Sequence, residues 1–133
     1  MVALALNYGK GLVFLKDIAK TEGMSEKYLS QIIIPLRGVG LVNSSRGAYG
    51  GYSLAREPSQ ITLKEIMDVL EGDCSLVDCV NNPSKCPRVP ICASHDIWAI
   101  IGEKISETLS GITLDMLAKL KQEKAQKAMM HNI

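Results

Sequence analysis

An abrupt change of period near residue 40 sets the tightest limit on how this chain can fold. Before it, Leu29, Ile32, Ile33 and Leu36 recur at three- and four-residue spacing, one buried stripe of a helix. After it, Leu41 to Ser45 and Tyr52 to Ala55 fit strands flanking Arg46-Gly47-Ala48-Tyr49-Gly50-Gly51, whose glycines permit the backbone angles of a hairpin tip. Upstream, Leu15 to Glu22 fits another helix, with Ile18 and Ala19 inward and Gly23 as its stop. Ser25 can cap the helix that follows, and Glu26 lies in its first turn, where the helix dipole favours an acid. Pro35 removes a backbone donor and is expected to kink or loosen that helix. Helix, short turn, helix and basic glycine-rich hairpin together form the pattern of a winged helix-turn-helix. The opening residues, Val2 to Tyr8, read as the end of a helix stopped by Asn7 and Gly9. Thr62-Leu63-Lys64-Glu65 reads as a capping box that starts a helix ending near Gly72.

Residues 73–90 lack regular period and carry Pro83, Pro87, Pro90, Asn81 and Asn82. From about Ile91 the helical pattern returns. Trp98, Ile101, Ile105, Leu109 and Ile112 lie close to one face, flanked by Ile97 and Ile100. Gly111 and Thr113 mark a break before a last helix bearing Leu114, Leu117 and Leu120, and the polar stretch Lys121 to Ile133 is expected to fray. The expected fold class is mainly α with a small β-hairpin wing. It divides into a winged helix-turn-helix over 1–72, a cysteine-rich loop over 73–90, and a long helix with its tail over 91–133. With 133 residues, 47% of them hydrophobic and only one Trp and one Phe, the chain can bury one modest, aliphatic core.

No apolar run approaches the roughly 18–20 residues of a membrane span. Met1 to Leu6 is too short for a secretory signal and no small-residue cleavage site follows. A cytoplasmic, reducing location is expected, where four cysteines point to metal or redox chemistry before disulfides.

The net charge of +1 says little, but its distribution says more. Residues 1–59 hold seven Lys/Arg against four acids, and residues 60–133 hold eight against ten, so the first half is the better candidate for binding phosphates. In a helix-turn-helix the second helix enters the major groove. Here its exposed face would offer Ser25, Lys27, Tyr28, Ser30 and Gln31. Gln can read adenine edges in a bidentate manner, Lys and Tyr can hold phosphates, and Ser suits either role. At the hairpin tip, Arg46 could enter a narrow minor groove, with Gly47 and Tyr49 beside it. The competing interpretation is a scaffold whose polar residues are merely solvated.

Cys79, Cys86 and Cys92 are separated by six and five residues, and His95 follows Cys92 by three. That last spacing is one helical turn, so both side chains can point at one ion or cluster. Three thiolates and an imidazole suit a structural zinc or an iron–sulfur cluster. The gaps exceed those usual in zinc knuckles, which slightly favours the cluster. Free thiols without metal, a disulfide pair, and a thiol enzyme using Cys92 and His95 are the alternatives. No oxyanion hole or acidic orienter supports an enzyme. Cys74 is a spare thiol that could replace His95 as ligand, and His131 lies in the tail.

Ser25-Glu26-Lys27-Tyr28-Leu29-Ser30-Gln31, Pro35-Leu36-Arg37, Gly40-Leu41-Val42 and Arg46-Gly47-Ala48-Tyr49-Gly50-Gly51-Tyr52 strongly resemble the IscR, NsrR and CymR family of winged-helix transcription regulators. The resemblance continues through Ile61-Thr62, Leu70-Glu71-Gly72 and the Cys92-to-Trp98 segment, so it covers nearly the whole chain. It implies a homodimer packed along the helix near residues 92–111, with a recognition helix and wing on each half of a double-stranded DNA operator. It also implies an iron–sulfur cluster on Cys79, Cys86, Cys92 and His95, as in IscR-type members, with 2Fe–2S favoured over 4Fe–4S. Such a cluster can be lost from protein prepared in air. NsrR-type members draw a fourth ligand from near the N-terminus, and CymR-like members lack the cysteine triad. Cluster state would then set operator affinity, in response to iron–sulfur status, redox state or nitric oxide, with repression the commoner role. The alternative is a clusterless regulator of the same fold, answering to a partner protein or small molecule. Two departures stand out. Family members usually begin some dozen residues earlier, so this chain is expected to start partway into its first helix. Ser30 also stands where IscR carries an acidic residue that discriminates operators.

Overall fold

The computed structural model describes residues 1–47, 50–72 and 75–132. Among these are six α-helices and one two-stranded antiparallel sheet. Helices α1 (Val2–Leu6), α2 (Leu15–Glu22) and α3 (Glu26–Gly38) lead into strands β1 (Val42–Ser45) and β2 (Gly51–Leu54). Helices α4 (Leu63–Leu70), α5 (Ala93–Ser110) and α6 (Leu114–His131) follow.

Local chemistry accounts for most of these boundaries. Gly23 adopts a left-handed φ of 65° and ends α2, with the Met24 N–H donating back to the Ala19 carbonyl at 2.9 Å. The Ser25 hydroxyl accepts from the Tyr28 N–H at 3.0 Å and opens α3. Helix α3 continues through Pro35 to Gly38. Thr62 and Glu65 complete the capping box of α4. The Thr62 backbone N–H donates to Glu65 Oε2 at 3.0 Å, and this bond, followed by the Arg56 guanidinium, holds the Glu65 carboxyl below its usual range.

One core joins the two ends of the chain. Leu4, Ile33, Leu36, Leu41, Val42, Leu54, Ile61, Ile66 and Leu114 form a continuous buried cluster. Burial of such side chains stabilises by about 1.5–3 kcal/mol each before chain entropy is counted. Leu114 belongs to α6, so the last helix closes over the winged region. Two backbone bonds hold it there: Leu63 N–H to the Ile112 carbonyl and Leu114 N–H to the Ile61 carbonyl, both 2.8 Å. The capped starts of α4 and α6 therefore lie side by side through a Thr62–Thr113 bridge.

The tail departs from expectation. Lys121 onward was expected to fray, whereas α6 runs on to His131. Its Lys, Gln, Glu, Ala and Met residues are all strong helix formers, and only Asn132 ends the run. No helix among the described residues is long and apolar enough to cross a membrane.

Candidate nucleic-acid interface

Helix α3 buries Ile33 and Leu36 and half-buries Leu29 and Ile32. The opposite face is left to solvent, and Lys27, Tyr28, Gln31, Ile34 and Arg37 are all exposed on it. Lys27, Tyr28 and Gln31 therefore point outward as the spacing predicts. The two serines are differently engaged. Ser25 spends an acceptor lone pair on the cap, although it remains exposed. Ser30 is half-buried, and its hydroxyl donates to the Lys27 carbonyl at 2.8 Å. Its proton is thus committed to its own helix.

The hairpin is set beside α3 by packing and by one polar tie. In β1 and β2, Val42 faces Leu54, Asn43 Ser53, Ser44 Tyr52 and Ser45 Gly51. Arg37 Nη1 donates to Ser44 Oγ at 3.2 Å, linking the end of α3 to β1. Val13 and Tyr52 exchange backbone bonds of 2.9 and 2.8 Å, so the segment before α2 adds a third, one-residue rung. Glycine is required on this edge: a Cβ on Gly51 would come within 2.8 Å of the Val13 carbonyl, and one on Gly50 would strike the Ser45 carbonyl. Arg46 and Gly47 are exposed at the tip. Tyr49 lies outside the described residues.

The cysteine loop is a chain of short 3₁₀ turns at Asp78–Val80, Pro83–Lys85 and Val89–Ile91. Cys79 sits within the first, Cys86 directly after the second, and Cys92 caps α5. All three are half-buried free thiols. His95 Nδ1 lies 3.2 Å from Cys79 Sγ in a hydrogen bond whose donor depends on the histidine tautomer. Two donors held tetrahedrally on one ion at about 2.0 and 2.3 Å would be roughly 3.5 Å apart, close to this contact. Cys86 and Cys92 do not join the pair. Among the described residues no three Cys, His, Asp or Glu side chains form a group able to hold a metal. The donor chemistry fits a soft metal or cluster, and half of the expected ligand set is assembled. Cys74, the spare thiol, lies outside the described residues.

Helix α5 differs from every other long element. None of its 18 residues is buried, and Ile97 and Ile100 are 56% and 55% exposed. Trp98 and Ile101 are exposed beside them.

The family model for Rrf2, described as an iron-dependent transcriptional regulator, matches residues 1–120. The chain belongs to the Rrf2 family. It is 42% identical over 118 residues to the transcriptional regulator CymR of Bacillus subtilis, covering 89% of this chain and 80% of that one. It is 34% identical over 119 residues to IscR of Xenorhabdus nematophila, covering 90% and 72%. The solved structure of the B. subtilis protein, titled CymR, the global cysteine regulator, matches with a TM-score of 0.73 over 90% of this chain and 87% of that one. IscR of T. potens matches with a TM-score of 0.74 at 39% identity, over 92% and 80%. This Rrf2 member is therefore a DNA-binding transcription regulator with a winged-helix fold, and its relatives are regulators, not enzymes. The sequence reasoning missed the Arg37–Ser44 tie and the exposure of Ile34; the Arg37 position at the end of the apolar stripe was the available signal for the first.

Proposed function

We propose that this regulator is a cytoplasmic homodimer that represses transcription by gripping a double-stranded operator, under control of an iron–sulfur cluster. Lys27, Tyr28 and Gln31 of α3 face the major groove, with Ser25 presenting the helix start and Ser30 bracing the first turn. Arg46, Gly47 and Tyr49 form the wing contact. The observation that carries this assignment is the polar, exposed face of α3 lying beside a hairpin tipped by Arg46. Homodimer formation is supported by the uncovered apolar face of α5. In salt-dependent duplex binding, Lys27→Ala is expected to weaken affinity for all sequences alike and to lower the salt slope by about one.

The cluster would be held by Cys79, Cys86, Cys92 and His95, which lie on the loop of residues 73–90 and the first turn of α5. When bound, it would supply iron chemistry sensitive to redox state and nitric oxide. This reading is supported by the Cys79–His95 contact and by the resemblance to IscR-type regulators. Residues that hold the loop against α5 bias the spacing of the two DNA-binding units, because a ligand shifts an equilibrium only through unequal affinity for two states. Anaerobic purification followed by absorbance and iron analysis tests it. Brown, iron-containing protein is expected, with iron lost in Cys86→Ala; full iron in that variant contradicts the ligand set.

A second reading, a clusterless regulator answering to a partner protein or small molecule, is favoured by the lack of a three-donor group among the described residues and by the likeness to CymR. Colourless, iron-free protein after anaerobic preparation would select it.

A further inference from the structure

Along the outward face of α3, Lys27, Tyr28, Gln31, Ile34 and Arg37 recur at three- and four-residue intervals. Four of these five carry hydrogen-bonding groups. Ile34 does not, yet it is 60% exposed, while Ile33 and Leu36 on either side turn into the core. Gln31 lies one turn before it and Arg37 one turn after, the latter tied to the wing through Ser44. A lone aliphatic side chain bracketed by an amide and a guanidinium gains nothing from water. It matches a surface that is anionic at its edges and locally apolar within.

We propose that Ile34 is a specificity-determining residue whose side chain packs against the 5-methyl group of an operator thymine in the major groove. This rests on α3 being the recognition helix, as argued above. Duplex DNA fits the flanking Lys27 and Arg37 through its phosphates, and the thymine methyl is the apolar group that base edges display in that groove. Three residues of helix advance about 4.5 Å, and successive base pairs are about 3.4 Å apart. Ile34 therefore reaches about one pair beyond Gln31. An amide suited to adenine and an aliphatic group suited to thymine together select adjacent A·T pairs.

The test begins with duplexes enriched from a random-sequence library by the full chain. Each thymine of the enriched site is then replaced by deoxyuridine, which lacks only the methyl. The wild type is expected to lose about fourfold in affinity at one thymine per half-site, the effect of burying one methyl. Ile34→Ala should bind thymine and uracil duplexes equally, whereas Gln31→Ala should keep the discrimination. Wild-type indifference to uracil at every position overturns the assignment, as does a uracil penalty that persists in Ile34→Ala. Unchanged duplex binding by Lys27→Ala and Gln31→Ala together would instead overturn the recognition-helix reading itself, and Ile34 with it.

Discussion

The winged region and helix α5 are built on opposite principles. In the first, short helices and a hairpin of two four-residue strands close around a shared core in which Leu36 is 2% exposed and Ile61 fully buried. In the second, an 18-residue helix buries no side chain, and Ile91 just ahead of it is 81% exposed. The winged region closes one continuous apolar cluster within a single chain, while Phe14, Tyr28 and Ile34 stay exposed outside it. Helix α5 leaves Ile97 and Ile100 more than half exposed, and Cys79, Cys86 and Cys92 beside it are half-buried free thiols.

The contrast is tested hardest in the core. Leu36→Ala is expected to lower unfolding stability by about 2–5 kcal/mol in chemical denaturation, and a loss under about 1 kcal/mol would mean that the core is not the closed unit described. On α5 the expected outcome is of another kind. Ile100→Asp should convert a dimer to monomer in sedimentation at micromolar concentration while far-ultraviolet circular dichroism of the monomer is retained. Unchanged association would remove the dimer role from that face.

A smaller effect is expected at the hairpin edge. Gly51→Ala must displace the Val13 carbonyl, which a Cβ would meet at 2.8 Å, at a cost of about 1–3 kcal/mol. Hydrogen exchange at the Val13 and Tyr52 amides should rise with it. Smallest is the cap of α4. Thr62→Ala should cost about 1 kcal/mol. Because the Glu65 carboxyl is held below its usual range, its contribution is present above the ordinary carboxylate pKa of about 4.3 and disappears as pH falls through the lower folded value. The stability gap between wild type and Glu65→Gln should therefore narrow on acidification below about pH 4; a gap that widens would reverse the sign.

What the sequence revealed followed the same division. The limits of α2, the Ser25 cap and the Thr62–Glu65 box were readable because each depends on residues within one turn of each other. Residues 29–36 carried their burial in their spacing, and the basic, glycine-rich stretch Arg46 to Gly51 between two strand-like runs announced the wing. Contacts between distant segments were invisible. The Val13–Tyr52 and Thr62–Thr113 bridges are single rungs without any alternating pattern to announce them. The tail is helical against its polarity because the strong helix formers of Lys121 to His131 outweigh the lack of an apolar face. Of the predicted ligands, the Cys79–His95 contact brings one thiol and the imidazole together. Spacing alone places Cys92 and His95 a turn apart but says nothing of how a proline-rich loop winds between Cys79 and Cys92.

Duplex affinity, measured anaerobically on one preparation before and after supply of iron and sulfide, bears on the switch itself, with Cys86→Ala in parallel. At least a tenfold change in the wild type and none in the variant is the expected result. Iron uptake by the wild type with unaltered duplex affinity would contradict the coupling of the thiol loop to the DNA-binding face.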